Sequence, residues 1–342
     1  MKVGVLSGGG DAPGINAVVR AIVRKGILHY GYEIVGIRDG WRGLLENEYM
    51  PLDLKAASGI LPRGGSILGT SRTNPFKRKA DTDKVLRNAK KQGLGAVIAI
   101  GGDDTLSVAF KMGELGLKCV GVPKTIDNDL VGTDYTFGFM TAVAIATEAL
   151  DRLHTTAETH QRVMILEVMG RNAGWIALEA GLAGGADAIL IPEKPFDIKQ
   201  VCKYIRQRQK RGRNFSIIVV AEGAKPKGGE EVVYSESVDA FGHVRLGGIG
   251  YFLGKEIEKC LGIETRVVVL GHLQRGGSPV AFDRILATRY GIGAIDLVHK
   301  KKFGQMIALR GNKIVHVPLK DVIGKRKTVD LELYKIASVF FG

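Results

Sequence analysis

Two short stretches carry carboxylates at spacings that suit chemistry. Residues 123–129 read Pro-Lys-Thr-Ile-Asp-Asn-Asp, so Asp127 and Asp129 flank Asn128. Alternate carboxylates can divide labour, one accepting a proton while its neighbour binds a metal or orients. The competing reading is a surface turn rich in Asx residues. The Thr125 hydroxyl beside them suits a phosphate or a carboxylate. Residues 101–104 read Gly-Gly-Asp-Asp. Asp103 suits Mg²⁺, directly or through water, because magnesium favours one or two carboxylates plus substrate phosphate oxygens. Asp104 is harder to place. A glycine turn after an apolar strand suits an anion, and a second carboxylate repels one.

A further loop, Ser-Gly-Gly-Gly-Asp-Ala-Pro-Gly at 7–14, follows another apolar strand. It lacks the Gly-Lys-Ser/Thr ending of a P-loop, and Pro13 stands where a dinucleotide fingerprint has its last glycine. Its glycines still let backbone amides approach an anion, and Pro13 suits a first helical turn. Arg162, Arg171, Arg266, His272 and Arg275 form a basic set, read as strand-end residues on one edge. Guanidinium forks match phosphate oxygens, so the set favours a polyanion site. Glu222 belongs among them as a hydroxyl acceptor or an ion-pair partner. Met169 and Trp175 read as packing. No zinc spacing and no Ser/His/Asp or cysteine nucleophile stands out.

The elements that position these residues repeat as strand, glycine turn, helix. Short apolar strands are expected at 2–7, 32–40, 95–104, 118–129, 162–170, 187–193 and 216–223. The last strong strand is expected at 265–277. Helical spacing marks 15–31, 139–160, 172–185 and 197–212. Short continuous apolar strands alternating with helices mean a parallel sheet covered on both faces, with a ligand beyond the strands' carboxyl ends.

Composition narrows the function classes. The 342 residues are 45% hydrophobic, enough for one large domain or two ordinary ones. No apolar run approaches a membrane span, and the start is a strand and turn rather than a signal peptide. The three cysteines, Cys119, Cys202 and Cys260, are distant in sequence and odd in number, which points to the reducing cytoplasm. The net charge is +14, but aromatics make up only 7%, too few for a base-stacking groove, so no nucleic acid is expected as partner. The basic clusters at 206–213 and 324–328 read as a solvated helix end and a solvated loop.

Taken together, the blocks GGGDAPGIN, RGGSILGTSR, IGGDDT, PKTIDNDL, HQRVMILEVMGR, ETR and GHLQRGGSPVAFDRILATR resemble the 6-phosphofructokinase family, in family order across nearly the whole chain. The resemblance implies an α/β fold of two similar three-layer domains with mainly parallel sheets. Their expected bounds are residues 1–139 plus about 274–324, and 140–273 plus about 325–342. It implies Mg²⁺-dependent phosphoryl transfer to the 1-hydroxyl of fructose 6-phosphate. Asp127 would take the hydroxyl proton and Asp103 would hold Mg²⁺. Gly10 and Arg72 would contact the donor, and Arg171 and Lys124 would assist transfer. Thr125, Ile126, Met169, Gly170, Arg171, Glu222, His272, Leu273, Gln274 and Arg275 would bind the sugar phosphate. Arg162 and Arg266 would reach a neighbouring subunit's site, giving a homodimer or homotetramer. A catalytically dead relative would lack Asp103 or Asp127, and both are present.

The departures from the ATP-using bacterial pattern concern the donor. Asp104 replaces a glycine of Gly-Gly-Asp-Gly-Ser, and Lys124 replaces the glycine of Pro-Gly-Thr-Ile-Asp. The pair resembles the pyrophosphate-dependent branch. Asp104 would occupy the place of ATP's α-phosphate, and at ~4 Å and an effective dielectric of about 20 two like charges repel by roughly 4 kcal/mol. Lys124 would pair with pyrophosphate or with transition-state charge. ATP is the alternative donor, and Asp104 carries the choice between them. With pyrophosphate the reaction would run both ways, serving glycolysis and gluconeogenesis.

Overall fold

The computed structural model describes residues 1–229, 233–238 and 244–342. Its strands in chain order are β1 (Lys2–Ser7), β2 (Glu33–Ile37), β3 (Tyr49–Pro51), β4 (Leu94–Gly101), β5 (Cys119–Pro123), β6 (Val163–Val168), β7 (Ala188–Leu190), β8 (Ser216–Ala221), β9 (Val233–Val238), β10 (Val244–Leu246), β11 (Thr265–Val269), β12 (Gln305–Arg310) and β13 (Lys313–Pro318). The helices are α1 (Ile15–Tyr30), α2 (Trp41–Glu46), α3 (Lys79–Lys91), α4 (Asp103–Glu114), α5 (Phe139–His160), α6 (Trp175–Ala183), α7 (Ile198–Lys210), α8 (Ile249–Leu261), α9 (Ala281–His299), α10 (Leu319–Val322) and α11 (Leu331–Ser338).

One sheet runs β13-β12-β5-β4-β1-β2-β3, and its inner five strands are parallel. The edge strands β3 and β13 are antiparallel to their neighbours. A second sheet, β11-β6-β8-β7, is wholly parallel. Each sheet is buried on both faces, which is why the inner strands read as continuous apolar runs. On the first sheet, Val3, Val5, Ile98 and Val120 pack under Val18, Ile22 and Tyr290 of α1 and α9. Leu6, Val97 and Ala99 face Trp41, Val85, Leu106 and Met112 on the other side. The second sheet is covered by α5, α6 and α11 on one face and by α7 and α8 on the other. Both sheets are therefore three-layer α/β units.

The expected helix at 139–160 matches α5, residue for residue. The strand at 265–277 is not the last: β12 and β13 follow as a hairpin turning at Gly311 and Asn312, with Gly311 at φ +55°. Pro13 lies one residue before the N-cap Gly14 rather than inside α1. The basic cluster at 206–213 is not wholly solvated. Arg208 pairs with the buried Asp187 at 2.7 Å and lies over the Phe215 ring. Cys202 and Cys260, distant in sequence, bring their thiols into contact between α7 and α8, and both are free. Among the described residues no helix is long and apolar enough to cross a membrane.

Candidate active site

The glycine loop after β1 lies directly beneath the turn after β11. A Cβ on Gly10 would stand 2.7 Å from Arg275 Nη1, so only glycine lets that guanidinium approach. Arg275 Nη1 donates to the Asp11 carbonyl at 3.1 Å. From the other side, Ser71 O accepts from Gly9 N at 3.0 Å, which sets the stretch carrying Arg72 against the same loop.

Lys124 follows directly on β5, with 2% of its surface exposed. Its ammonium donates to Gly8 O at 2.8 Å and also to Gly10 O. Its pKa is pulled down to about 7, by burial first and then by the charges of Arg275 and Arg72, against the pull of Asp11 and Asp127. A lysine that protonates near neutrality and lies under an anion loop is poised to gain a proton when an anion arrives.

Thr125 and Asn128 shape the turn that holds Asp127. Thr125 Oγ1 accepts from Asp127 N at 3.1 Å. Asn128 is buried with φ +51°, and its Oδ1 accepts from Thr136 N at 3.0 Å. That left-handed residue throws the two aspartates to the same opening. Asp127 Oδ1 is buried and has no hydrogen-bond partner among the described residues. Burial raises the Asp127 pKa, while Arg275, Arg171, Arg326 and Lys124 each lower it. Asp129 is pushed up to about 7, by burial first and then by the charge of Asp127; Asp103 adds to the rise and Arg326 opposes it. Ile126 is fully buried in the second hydrophobic core, so only its backbone can meet a ligand.

Asp103 and Asp104 form the first turn of α4, after β4. Asp103 Oδ1 accepts from Gly324 N at 3.0 Å. Among the described residues no group of three or more His, Cys, Asp or Glu is arranged to enclose a metal. Asp129 is nevertheless repelled by both Asp127 and Asp103, and the buried Asp127 Oδ1 lacks a partner among the described residues. This donor set fits a hard cation that completes its shell with substrate oxygens, as Mg²⁺ does.

The second sheet supplies the rest. Met169 N donates to Gln274 Oε1 at 3.2 Å, and Gln274 is fully buried, so Gln274 holds the turn together with its side chain. Gly170 sits at φ +139° and accepts from Gly223 N at 3.2 Å, joining the ends of β6 and β8. Glu222 is pushed up to about 7 by burial and then by the Asp127 charge, with Arg171 and Arg275 opposing. His272 and Leu273 are exposed in a short 3-10 turn, Gly271–Arg275.

Two expectations are corrected. Arg162 and Arg266 do not share the edge of the other cations. Arg162 precedes β6 and Arg266 is the second residue of β11, so parallel strand direction sets both at the amino edge. The six residues of β6 place that edge roughly 20 Å from Met169, at about 3.3 Å per residue. Both arginines pair there with Glu264. The cluster at 324–328 is not a solvated loop either. Lys327 is half-buried, and its Nζ donates to Asn128 Oδ1 (3.1 Å), Thr133 O (3.1 Å) and Asp134 O (2.6 Å). Trp175 Nε1 donates to Lys327 O at 3.2 Å, so Trp175 braces the site as well as packing. Asn128, Arg326 and Lys327 were not singled out from sequence. Only the density of charge at 324–328 marked the last two.

The fold and this two-sheet crevice define a family of sugar-phosphate kinases. The Phosphofructokinase family model matches residues 2–298, and the chain belongs to that family. It is 60% identical to the pyrophosphate–fructose 6-phosphate 1-phosphotransferase of Streptomyces coelicolor over 100% of both chains. It is 52% identical to ATP-dependent 6-phosphofructokinase 3 of the same organism, over 96% of each. Its fold matches the phosphofructokinase of Pichia pastoris in the T-state with a TM-score of 0.85 and 30% identity, covering 99% of this chain and 36% of that one.

Proposed function

We propose that this chain reversibly transfers a phosphoryl group from pyrophosphate to the 1-hydroxyl of fructose 6-phosphate, with Mg²⁺, giving fructose 1,6-bisphosphate and inorganic phosphate. The observation that carries the reading is that Asp104 and Lys124 occur together in the sequence, each in place of a glycine of the ATP-using pattern. The identity to the Streptomyces pyrophosphate enzyme, higher than to that organism's ATP enzyme, supports it.

Asp127 takes the proton from the 1-hydroxyl as that oxygen bonds to the terminal phosphorus of pyrophosphate. The bond from this phosphorus to the bridging oxygen breaks, and phosphate leaves. Phosphoryl transfer asks mainly for positioning and charge stabilisation. Gly10, Arg72 and Lys124 receive the donor, and Asp104 closes the space a nucleotide would need. Arg171 and Lys124 meet the charge that develops. Asp103 would hold Mg²⁺, which neutralises charge on the donor's phosphate oxygens. Thr125, the backbone of Ile126 and Gly170, and Met169, Arg171, Glu222, His272, Leu273, Gln274 and Arg275 form the sugar-phosphate side.

Arg162 and Arg266 serve a neighbouring copy's site in a homodimer or homotetramer, a role favoured by their distance from Asp127. The domains run over residues 1–139 with about 274–324, and 140–273 with about 325–342, a division supported by the two sheets. The cytoplasm is the compartment, in keeping with two touching thiols that stay unbonded.

The test is turnover in both directions. Fructose 6-phosphate with pyrophosphate should yield inorganic phosphate, and fructose 1,6-bisphosphate with phosphate should yield pyrophosphate. Asp127→Asn should lower both rates by about 10²–10⁴-fold, the usual contribution of a positioned base. A variant as fast as the parent would remove Asp127 from the mechanism.

A further inference from the structure

The segment linking α10 to α11 crosses the mouth of the crevice. Gly324 N donates to Asp103 Oδ1 at 3.0 Å. Lys327 N donates to Asp129 O at 2.8 Å, and Arg326 pairs with Leu130 as an antiparallel bridge. The segment is thus pinned at one end to the donor-side carboxylate and at the other to the acidic turn. Arg326 lies between the pins. Lys327 secures the second pin through its three side-chain hydrogen bonds and its place over the Trp175 ring, 5.3 Å from the centroid. Val329 N donates to Glu193 Oε1 at 2.9 Å, and Glu193 also accepts from Gly174 N, so the segment is tied to the start of α6 as well.

Arg326 itself is exposed. Its guanidinium makes no ion pair or hydrogen bond among the described residues. Yet it is near enough to Asp127 and Asp129 for its charge to act on both. A guanidinium held beside a phosphoryl-transfer centre and left without a protein partner is available to a phosphate, and its fork suits two phosphate oxygens.

We propose that Arg326 is a further donor-binding residue, its guanidinium taking the phosphate that leaves pyrophosphate, and that Lys327 is the positioning residue that holds it there. This rests on the pyrophosphate reading above. The same contact would bind inorganic phosphate when the reaction runs in reverse. It adds a cation beside Asp127 and Asp129, where the carboxylates of the acidic turn meet an anionic substrate.

The experiment titrates the non-hydrolysable analogue imidodiphosphate, with Mg²⁺, into the full-length wild type, Arg326→Gln and Lys325→Gln by calorimetry. Loss of a charge-assisted contact predicts about tenfold or weaker binding for Arg326→Gln, and little change for the neighbouring exposed Lys325→Gln. In turnover, Arg326→Gln should raise KM for pyrophosphate and for inorganic phosphate while KM for fructose 6-phosphate holds. Lys327→Met should likewise raise KM for pyrophosphate and for inorganic phosphate while KM for fructose 6-phosphate holds, whereas general loss of folded protein lowers apparent kcat and leaves every KM unchanged. Undiminished binding by Arg326→Gln overturns the proposal alone, as does an equal loss in Lys325→Gln. A wild type that neither binds imidodiphosphate nor turns over pyrophosphate overturns the donor reading together with it.

Discussion

Lys124 and Gly8 are joined by a 2.8 Å hydrogen bond from a buried ammonium to a carbonyl oxygen. The lysine thereby reaches from the end of β5 under the glycine loop of β1, the neighbour of β4 on its other side. The contact ties the Pro-Lys-Thr-Ile-Asp block to the glycine loop 116 residues earlier in the chain.

Burying this ammonium leaves a signature in stability. Its folded pKa of about 7 lies below the ordinary 10.5, so between those values the unfolded chain holds the extra proton. Wild-type stability should therefore gain from this group as pH rises through that window, by up to about 1.4 kcal/mol per pH unit. Lys124→Met should lack that gain, and lose most turnover with pyrophosphate. Urea unfolding of both proteins at pH 7 and 9 measures the difference. Parallel pH dependences would show that the ammonium is not buried as described.

Arg275 is the cation that does most to hold down the Asp127 pKa against burial. Removing a cation raises a carboxyl pKa, so the base stays protonated to higher pH. Arg275→Met should shift the acid limb of the pH–kcat/KM profile upward, besides weakening sugar-phosphate binding. A limb at the wild-type pH would detach Arg275 from the base.

Asp283 of α9 joins the two layered units. The N-cap of α5 is Gly138, which has no side chain to cap the helix. Asp283 Oδ2 instead accepts from Thr141 N at 2.7 Å and Thr141 Oγ1 at 2.6 Å, in a fully buried position. Asp283→Ala would strand those donors and should cost about 2–4 kcal/mol, while Asp283→Asn keeps an acceptor and should cost less. Denaturant midpoints of the two variants give the comparison.

Most of the site was legible because its residue types are unusual for plain turns. Glycines at 8–10 and 101–102, and aspartates at 103, 104, 127 and 129, cluster at the ends of apolar strands, where a plain buried turn does not call for so many carboxylates. The helices α1 and α5 were legible because their apolar spacing persists over 16 and 22 residues. What escaped depends on distant partners. Lys327 is drawn inward by acceptors 193 to 199 residues earlier, and no local pattern records that. Arg162 and Arg266 were set on the wrong edge because a cation beside a strand was read without regard to strand direction. The β12–β13 hairpin had a local signal, Gly311-Asn312 between two apolar-rich runs, that passed unused.

Asp104 should decide what the donor site excludes. On the proposed donor site, Asp104→Gly removes the carboxylate that excludes a nucleotide, and should gain measurable ATP-dependent turnover while losing part of its pyrophosphate activity. Initial rates with each donor would show it. A variant still blind to ATP would mean that other residues shut the nucleotide out.

The most direct measurement is donor choice by the wild type: kcat/KM for pyrophosphate and for ATP, at saturating fructose 6-phosphate and Mg²⁺. With a like-charge penalty of several kcal/mol against the nucleotide, pyrophosphate should be preferred by at least about a hundredfold. Turnover with ATP and none with pyrophosphate would contradict the account.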